Sequence, residues 1–349
     1  HFCLPGGAPK SRAGFFALLR LVEWGQGVFR HELTLPRPVT DRVRLLEACQ
    51  ANLSSVFGLY SDPRQEVVSL LANRTEGQAP AFEAVDDLGV WHGLWRVDDP
   101  VALWRVVALM YERPIVVADG HHRYTAALQY RNRQRLGRGD VLKAPWDYVL
   151  FYLGAFEDPG LAILPTHQVL HGLPGFASEQ FVAEMQAHFA VYEEPALGAL
   201  LEKLDRLESA PGVALGAVVP GGHYYLLEAT PLAAPAAPEE GLDVSILRRW
   251  AVEPLLRHYG AESRLEEHLR YTHDALAAAA QVSMRQANVA FILRPTPLEQ
   301  VRSVALSRRV MPQKSTYFYP KLLSGLVIYD HTCWRPEPCP LSEERVSTP

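Results

Sequence analysis

Residues 115–135 constrain the fold of this chain more than any other stretch, because a strand and a helix must meet there within a few residues. Residues 115–118 are a short, largely β-branched run, which predicts a buried strand. Residues 124–135 contain good helix formers, so the five residues in between are predicted to form a strand-to-helix turn. The first N–H groups of a helix lack intrahelical partners and carry positive potential, so this turn is predicted to attract an anion.

Strand and helix patterns alternate along the chain, which predicts an α/β (α+β) protein. Two helix starts can be assigned from capping residues. Thr40 is predicted as the N-cap of one helix, and Asp98 or Asp99 as the start of another.

The length and composition favour two domains. With 349 residues, of which 48% are hydrophobic, the chain can build a large core. We expect a first domain over residues 1–170 that carries the turn, a second α+β region over 171–331, and a loose proline-rich tail over 332–349. The first residue is His1 rather than Met, which leads us to expect truncation at the N-terminus.

Charge and cysteine usage narrow the class of partner. Lys and Arg number 34 against 39 Asp and Glu, so a nucleic acid partner is disfavoured and a small-molecule partner is favoured. No apolar run reaches the roughly 20 residues that span a bilayer, so no membrane partner is predicted. The 4 cysteines form no CxxC pair, which favours a reduced, cytoplasmic protein. The oligomeric state is left open.

The predicted turn contains Asp119, Gly120, His121, His122 and Arg123. Arginine can grip two phosphate oxygens, and glycine lets a ligand approach the backbone closely. An aspartate here could hold Mg²⁺ or take a proton from a hydroxyl group. The competing interpretation is that Asp119 only caps the helix and the histidines bond to backbone carbonyls. In either case we expect the Arg123 guanidinium to be exposed and to contribute little to the core.

A second polar cluster surrounds Glu32, with Arg30, His31 and Thr34 as neighbours. A buried glutamate beside a histidine can act as a general base, whereas a solvated one on an edge strand has no such role. The sequence leaves both interpretations open.

Two further groups are rich in hydrogen-bond donors. One donor-rich segment around Pro312 and Pro320 could contact phosphate or substrate, although a solvated turn fits the spacing equally well; it contains Lys314, Ser315, Thr316, Tyr317, Tyr319 and Lys321. Thr166–His167 follow a strand and could be turn residues instead. The P-loop, GxSxG, HExxH and GxGxxG patterns are all absent from the sequence.

Five separated segments carry a resemblance to a known family. In chain order they are RHELTLPRPVTDRVRLLEACQANLSSVFGLYSD, VVADGHHRYTAALQYR, YVLFYLGAFEDPGLAILPTHQVL, LDVSILRRWAVEPLL and MPQKSTYFYPKLLSGLVI. Together they resemble the bacterial and archaeal family known as domain of unknown function 1015, from about Arg12 to Tyr329. Gln168 is a departure, because the family pattern has arginine after LPTH. The family's N-terminal APPYDV-like motif is also absent from the chain.

The resemblance implies a nucleotide-binding core of the ParB and sulfiredoxin type, with a DGHHR turn like that of the free serine kinase. It implies ATP or ADP with Mg²⁺ as cofactors. By this resemblance Asp119 activates a hydroxyl or holds the metal, and His122 and Arg123 contact phosphate. Glu32 becomes the candidate general base.

The remaining expected site residues follow from position and polarity. Gly120 and His121, with Lys314, Ser315 and Thr316, are expected to bind the cofactor. His31, Thr166, His167 and Tyr317 are expected to contact the substrate.

Two functions remain open at this stage. The first is a phosphotransferase that moves a phosphoryl group from ATP or ADP to the hydroxyl of a small metabolite, possibly L-serine. The alternative is a nucleotide-binding switch or assembly module of the ParB type, which would bind nucleotide without turning over a metabolite.

Overall fold

The computed structural model describes residues 1–4, 7–138, 143–208, 210, 212–230, 237–261 and 265–334. These residues form two compact units. Unit 1 comprises His1–Arg30, Thr34–Gly160 and the chain from Pro320 onwards, and unit 2 comprises His31–Leu33 and Leu161–Tyr319. The expected domain division at residue 170 stays a prediction, and most of the expected tail lies outside the described residues.

The described residues contain strands and helices throughout. The strands are β1 Phe2–Cys3, β2 Pro9–Lys10, β3 Gly14–Arg20, β4 Val28–Phe29, β5 Ala51–Asn52, β6 Val56–Tyr60, β7 Phe82–Val85, β8 Trp91–Leu94, β9 Ile115–Asp119, β10 Tyr148–Ala155, β11 Ala162–Leu164, β12 His167–Leu170, β13 Phe189–Glu194, β14 Ala214–Val219, β15 His223–Ala229, β16 Leu269–Thr272, β17 Val289–Ile292, β18 Tyr317–Tyr319 and β19 Tyr329–Asp330. The helices are α1 Pro36–Cys49, α2 Glu66–Thr75, α3 Pro100–Met110, α4 His121–Arg138, α5 Ser178–Met185, α6 Leu197–Arg206, α7 Asp243–Leu247, α8 Glu253–His258, α9 Leu265–His268, α10 Ala275–Ser283 and α11 Leu298–Leu306, with a π-helical turn at Arg248–Val252 between α7 and α8. The predicted mixed α/β class is therefore confirmed.

Unit 1 is built on a mixed sheet with the strand order β3-β10-β6-β9-β4. The β10–β6 and β9–β4 pairs are parallel, while β10–β3 and β6–β9 are antiparallel. Every residue of β6 and the first four residues of β9 are buried, as expected for inner strands covered on both faces. Val43 of α1 and Tyr124 of α4 pack with Phe151 in the core of this unit. The sheet thus fixes the position at which β9 ends and α4 begins.

Helix α1 begins earlier than the sequence pattern predicts. It starts at Pro36, and Thr40 lies inside it with its hydroxyl donating to the Pro36 carbonyl at 3.0 Å. The prediction that Thr40 is the N-cap was therefore wrong. Prolines are tolerated in a first helical turn, because the N–H groups there have no intrahelical partner, so the two prolines begin this helix rather than exclude it.

Unit 2 is built on an antiparallel sheet with the strand order β13-β15-β14-β17-β12-β16. Helices α6 and α10 pack onto it through Leu200, Leu204 and Ala278. A separate strand pair, β11 with β18, aligns Leu164 opposite Tyr317. Within the described residues no helix is both long enough and apolar enough to cross a bilayer.

Candidate functional site

The turn between β9 and α4 depends on a glycine. Gly120 has a φ of 93°, in the left-handed region that other residues rarely adopt. A Cβ atom at this position would lie 3.0–3.1 Å from the guanidinium atoms of Arg123. Glycine therefore allows both the backbone turn and the folding of Arg123 back over it. The first turn of α4 contains no acidic residue to offset the positive potential of its N–H groups.

The Arg123 guanidinium is held from two sides. One terminal nitrogen donates to the Asp119 carboxylate at 2.6 Å, and the other donates to the backbone carbonyl of Ser55. The Arg123 side chain is only 28% exposed. Burial lowers the pKa of Arg123, Asp119 opposes that shift, and Arg42 on α1 adds to it. The expectation of an exposed guanidinium that contributes little to the core was therefore wrong.

Asp119 holds a second cation, which belongs to the donor-rich segment of the sequence analysis but was not paired there with Asp119. The Lys321 ammonium lies 3.0 Å from the other carboxylate oxygen of Asp119, across 202 residues of sequence. One carboxylate thus faces two positive charges, and the turn keeps an excess of positive charge. No local pattern could have joined Lys321 to Asp119, because the contact depends entirely on the fold.

The two adjacent histidines of the turn have different surroundings. The His121 ring is buried and stacks on Trp24, with 6.3 Å between ring centroids. His122 accepts a hydrogen bond at its Nε2 from the N–H of Leu35, the residue before α1, at 3.1 Å. A ring nitrogen that accepts carries no proton, so this contact requires His122 to be neutral. Its partner is a backbone amide rather than the carbonyl that the competing interpretation assumed.

The surroundings of Asp119 offer little support for a metal ion. Both of its carboxylate oxygens already face cations. Among the described residues no group of three or more His, Cys, Asp or Glu side chains could hold a metal. Mg²⁺ keeps several waters and needs few protein ligands, so an ion here would depend on nucleotide phosphates for its remaining ligands. Asp119 as a metal ligand stays a prediction.

In unit 2 the structure brings His31 and Thr316 together. His31 is fully buried, and its Nε2 lies 2.9 Å from the Thr316 hydroxyl. Glu32 is half-buried and forms a parallel bridge with Met311. Burial raises the pKa of Tyr271, and the Glu266 and Glu32 carboxylates add to that shift while Arg248 opposes it.

The rest of the predicted substrate set lies around the β11–β18 pair. Tyr317 stacks on the His273 ring with 3.7 Å between centroids, and His273 Nδ1 lies 3.0 Å from the Pro165 carbonyl. The Thr166 hydroxyl is buried and has no hydrogen-bond partner in the described part of the chain. His273 was missed by the sequence analysis, and its position just before the N-cap of α10 gave no signal of a role.

The remaining loop residues have mainly structural contacts. Lys314 adopts a φ of 62°. The Ser315 hydroxyl donates to the Pro312 carbonyl, and the Ser315 carbonyl accepts from Thr296 at 2.9 Å. His167 accepts at Nδ1 from the Leu293 N–H at 3.2 Å within the sheet. Their roles toward a cofactor or substrate stay predictions.

His167 should make the stability of unit 2 sensitive to acid. Burial, followed by the nearby His273, lowers the pKa of His167 to about 4. The folded state therefore favours the neutral ring, and its stability is complete above the unfolded pKa near 6.5 and lost as the pH falls toward 4. We expect this residue to cost about 3 kcal/mol of unfolding free energy over that window.

Chemical denaturation at several pH values would measure this effect. His167→Asn keeps an acceptor for Leu293 but cannot titrate, so it should show a smaller loss of stability between pH 6.5 and 4. His223→Asn, at a side chain 47% exposed, serves as the control and should follow the wild type. The same slope in His167→Asn and in the wild type would contradict the prediction.

The fold and the turn define a class of protein: a mixed α/β chain whose unit 1 presents a cationic strand-to-helix turn closed by an arginine. A family model described as "Protein of unknown function (DUF1015)" matches residues 4–245, and the chain belongs to that family. No curated protein matches the chain.

Several solved structures are similar to the chain over most of its length. A conserved hypothetical protein from Pyrococcus furiosus has 12% identity and a TM-score of 0.42, covering 91% of this chain and 96% of that one. Free serine kinase in complex with AMP has 12% identity and a TM-score of 0.42, covering 89% of each chain. SbnI with C-terminal truncation from Staphylococcus aureus has 11% identity and a TM-score of 0.41, covering 88% of this chain and 85% of that one. At these values none of them assigns a function to this chain.

Proposed function

We propose that the β9–α4 turn binds the phosphates of ATP or ADP, and that the protein transfers a phosphoryl group to the hydroxyl of a small metabolite, with L-serine the first acceptor to test. The observation that carries the proposal is the Arg123 guanidinium folded over Gly120 at the start of α4, with Lys321 beside it on the same carboxylate. Two cations and a row of N–H groups suit a phosphate chain, which spreads negative charge over several oxygens.

The proposed roles follow from this geometry and from the family resemblance. Gly120, His121, His122 and Arg123 of unit 1 bind the nucleotide phosphates. Lys314, Ser315 and Thr316 of unit 2 contribute further cofactor contacts. The substrate contacts are His31, Thr166, His167 and Tyr317.

The proposed reaction begins with proton removal from the acceptor hydroxyl by Glu32. The oxygen of the acceptor then forms a bond to the terminal phosphorus of the nucleotide, and the bond from that phosphorus to the leaving phosphate oxygen breaks. The products are the phosphorylated metabolite and a nucleotide one phosphate shorter. Positive groups at the turn stabilise the charge that develops on the transferred group, which is the main source of rate in such reactions.

Phosphoserine formation by the purified chain is the direct test. The protein is incubated with ATP or ADP, Mg²⁺ and L-serine, and the products are identified by mass spectrometry, with other hydroxyl-bearing metabolites as parallel acceptors. We expect a phosphorylated product and an equal amount of shortened nucleotide. Nucleotide binding without any product would reject the phosphotransferase and favour the nucleotide switch instead.

Arg123→Ala should weaken ADP binding about tenfold or more, because a charge-assisted contact to phosphate is lost. It should also lower the free energy of unfolding by about 1–3 kcal/mol, since the Ser55 carbonyl loses its donor. Isothermal titration calorimetry and denaturant unfolding measure the two effects separately.

The matched control is Arg133→Ala on the same helix. Its guanidinium is 54% exposed and pairs with Glu47 at the surface, so both measurements should stay close to wild type. If Arg123→Ala binds ADP as tightly as the wild type, the phosphate site is not at this turn.

A further inference from the structure

Lys321 is brought to the turn by a chain of contacts within unit 1. The Arg12 guanidinium donates to the Pro320 carbonyl at 2.8 Å, which anchors the residue directly before Lys321. Arg12 itself lies over the rings of Phe57 and Tyr152, at 5.1 and 5.7 Å from their centroids. The position of Lys321 is therefore defined by the sheet that carries Asp119.

Phe57 links this anchor to the turn itself. It pairs with Asp119 in the β6–β9 register, at a bulge of the ladder. The same residue therefore supports the Arg12 guanidinium with its ring and aligns Asp119 through its backbone. Phe57 thus contacts both the anchor of the Lys321 segment and the strand that carries Asp119.

Stability alone does not account for the Lys321–Asp119 pair. The two side chains are 40% and 38% exposed, and ion pairs at such exposure contribute little to folding. Asp119 also has a closer cationic partner in Arg123, at 2.6 Å. Because Arg123 already balances the charge of Asp119, Lys321 adds net positive charge to the turn. Folding stability does not require this extra charge.

The two cations differ in exposure and in the geometry of their donors. Arg123 is the less exposed of the two and is committed to Ser55 and Asp119. Lys321 presents a compact ammonium on a flexible stem, with three N–H donors that can turn toward different acceptors. Of the two, Lys321 is the better placed to follow phosphate oxygens.

We infer that Lys321 is a phosphate-binding residue of the β9–α4 turn, held ready by Asp119 and specific for the phosphate chain rather than the nucleoside. This inference rests on the proposed nucleotide site and deepens it by naming a ligand contact. The Lys321 ammonium donates hydrogen bonds to phosphate oxygens alongside Arg123, whose contacts to Asp119 and the Ser55 carbonyl also keep those groups in place. Its contribution therefore grows with the number of phosphates.

The test compares adenosine, AMP and ADP as ligands of the wild type, Lys321→Gln and Lys321→Arg by calorimetry. We expect Lys321→Gln to weaken ADP binding about tenfold, to weaken AMP binding less, and to leave adenosine binding unchanged. The ADP effect should shrink as salt is raised. Lys321→Arg keeps the charge and should restore most of the ADP affinity.

Lys143→Gln removes the same charge from an exposed position of the same unit and should bind ADP like the wild type. Equal weakening of all three ligands by Lys321→Gln, or no weakening of any, would overturn the inference while leaving the nucleotide site intact. A wild type that binds none of the three ligands would overturn the proposed function, and the inference with it. Thermal unfolding of each variant verifies that the fold is retained.

Discussion

Replacing Arg294 by methionine is expected to lower the free energy of unfolding by about 3–5 kcal/mol, because it leaves a carboxylate that is only 18% exposed without its cation. The Arg294 guanidinium is 8% exposed and bonds both oxygens of Asp243, at 2.7 and 2.8 Å. It also donates to the carbonyls of Leu207 and Gly212, each at 2.6 Å. Arg294 lies just after β17. Its contacts therefore connect the end of that strand to the end of α6 and the start of α7.

Asp243 explains why the loss should be large. Burial raises the pKa of Asp243, and the Arg294 guanidinium opposes that shift through its hydrogen bonds and its charge. Without Arg294 the charged carboxylate stays in a site that disfavours it. Asp243→Asn in the Arg294→Met background should therefore recover part of the lost stability, and the loss should become smaller as the pH falls and the carboxyl group takes up a proton.

Urea unfolding of the single and double variants gives the required double-mutant cycle. Arg206→Met is the matched control, since its guanidinium is 77% exposed and its pairing with Glu202 is at the surface. That control should stay within about 0.5 kcal/mol of the wild type. A loss below about 1 kcal/mol in Arg294→Met would show that the buried pair is dispensable.

Glu32→Gln is expected to reduce phosphoryl transfer about 10²–10⁴-fold while nucleotide binding persists, if Glu32 removes the proton from the acceptor hydroxyl. Glutamine keeps the size of the side chain and its hydrogen-bonding oxygen but cannot accept a proton. The half-buried position of Glu32 and its bridge to Met311 hold the backbone in place, so the substitution should leave the fold intact.

Steady-state kinetics with saturating nucleotide and acceptor separate the effect on kcat from the effect on KM. Glu179→Gln, at an exposed residue of α5, removes the same charge elsewhere in unit 2 and should keep wild-type turnover. Glu32→Asp retains a base on a shorter stem and should fall between the wild type and the glutamine variant. Full turnover by Glu32→Gln would remove Glu32 from the mechanism.

The sequence predicts those parts of the fold that local chemistry determines. The strand over 115–118 is confirmed, and a strand-to-helix turn follows it. The predicted extent of that turn, five residues, was wrong, because β9 runs to Asp119 and α4 begins at His121, which leaves only Gly120 between them. Asp99 is the N-cap of α3, as predicted, and its carboxylate accepts from the Val101 N–H at 3.0 Å. In both places the interacting groups lie within a few residues of each other.

The sequence did not predict features that depend on distant contacts or weak patterns. Helix α2 was missed because it is only 10 residues long, so the helical spacing of Val67, Leu70 and Leu71 is a short signal. The burial of Arg123 depends on the carbonyl of Ser55, and Lys321 reaches Asp119 from the far end of the chain. For the turn, the types of its residues predicted the chemistry. The long-range contacts that position those residues could be found only in the folded chain.

The path of the polypeptide between the units determines how this protein can be dissected. Residues 31–33 belong to unit 2 although the chain on both sides of them belongs to unit 1, and the chain returns to unit 1 at Pro320. A fragment ending at residue 160 would keep Asp119 but lose Lys321, and one beginning at residue 161 would lose Glu32. Neither half of the gene can encode an intact unit, so the contributions of the two units must be separated by point substitution rather than by excision.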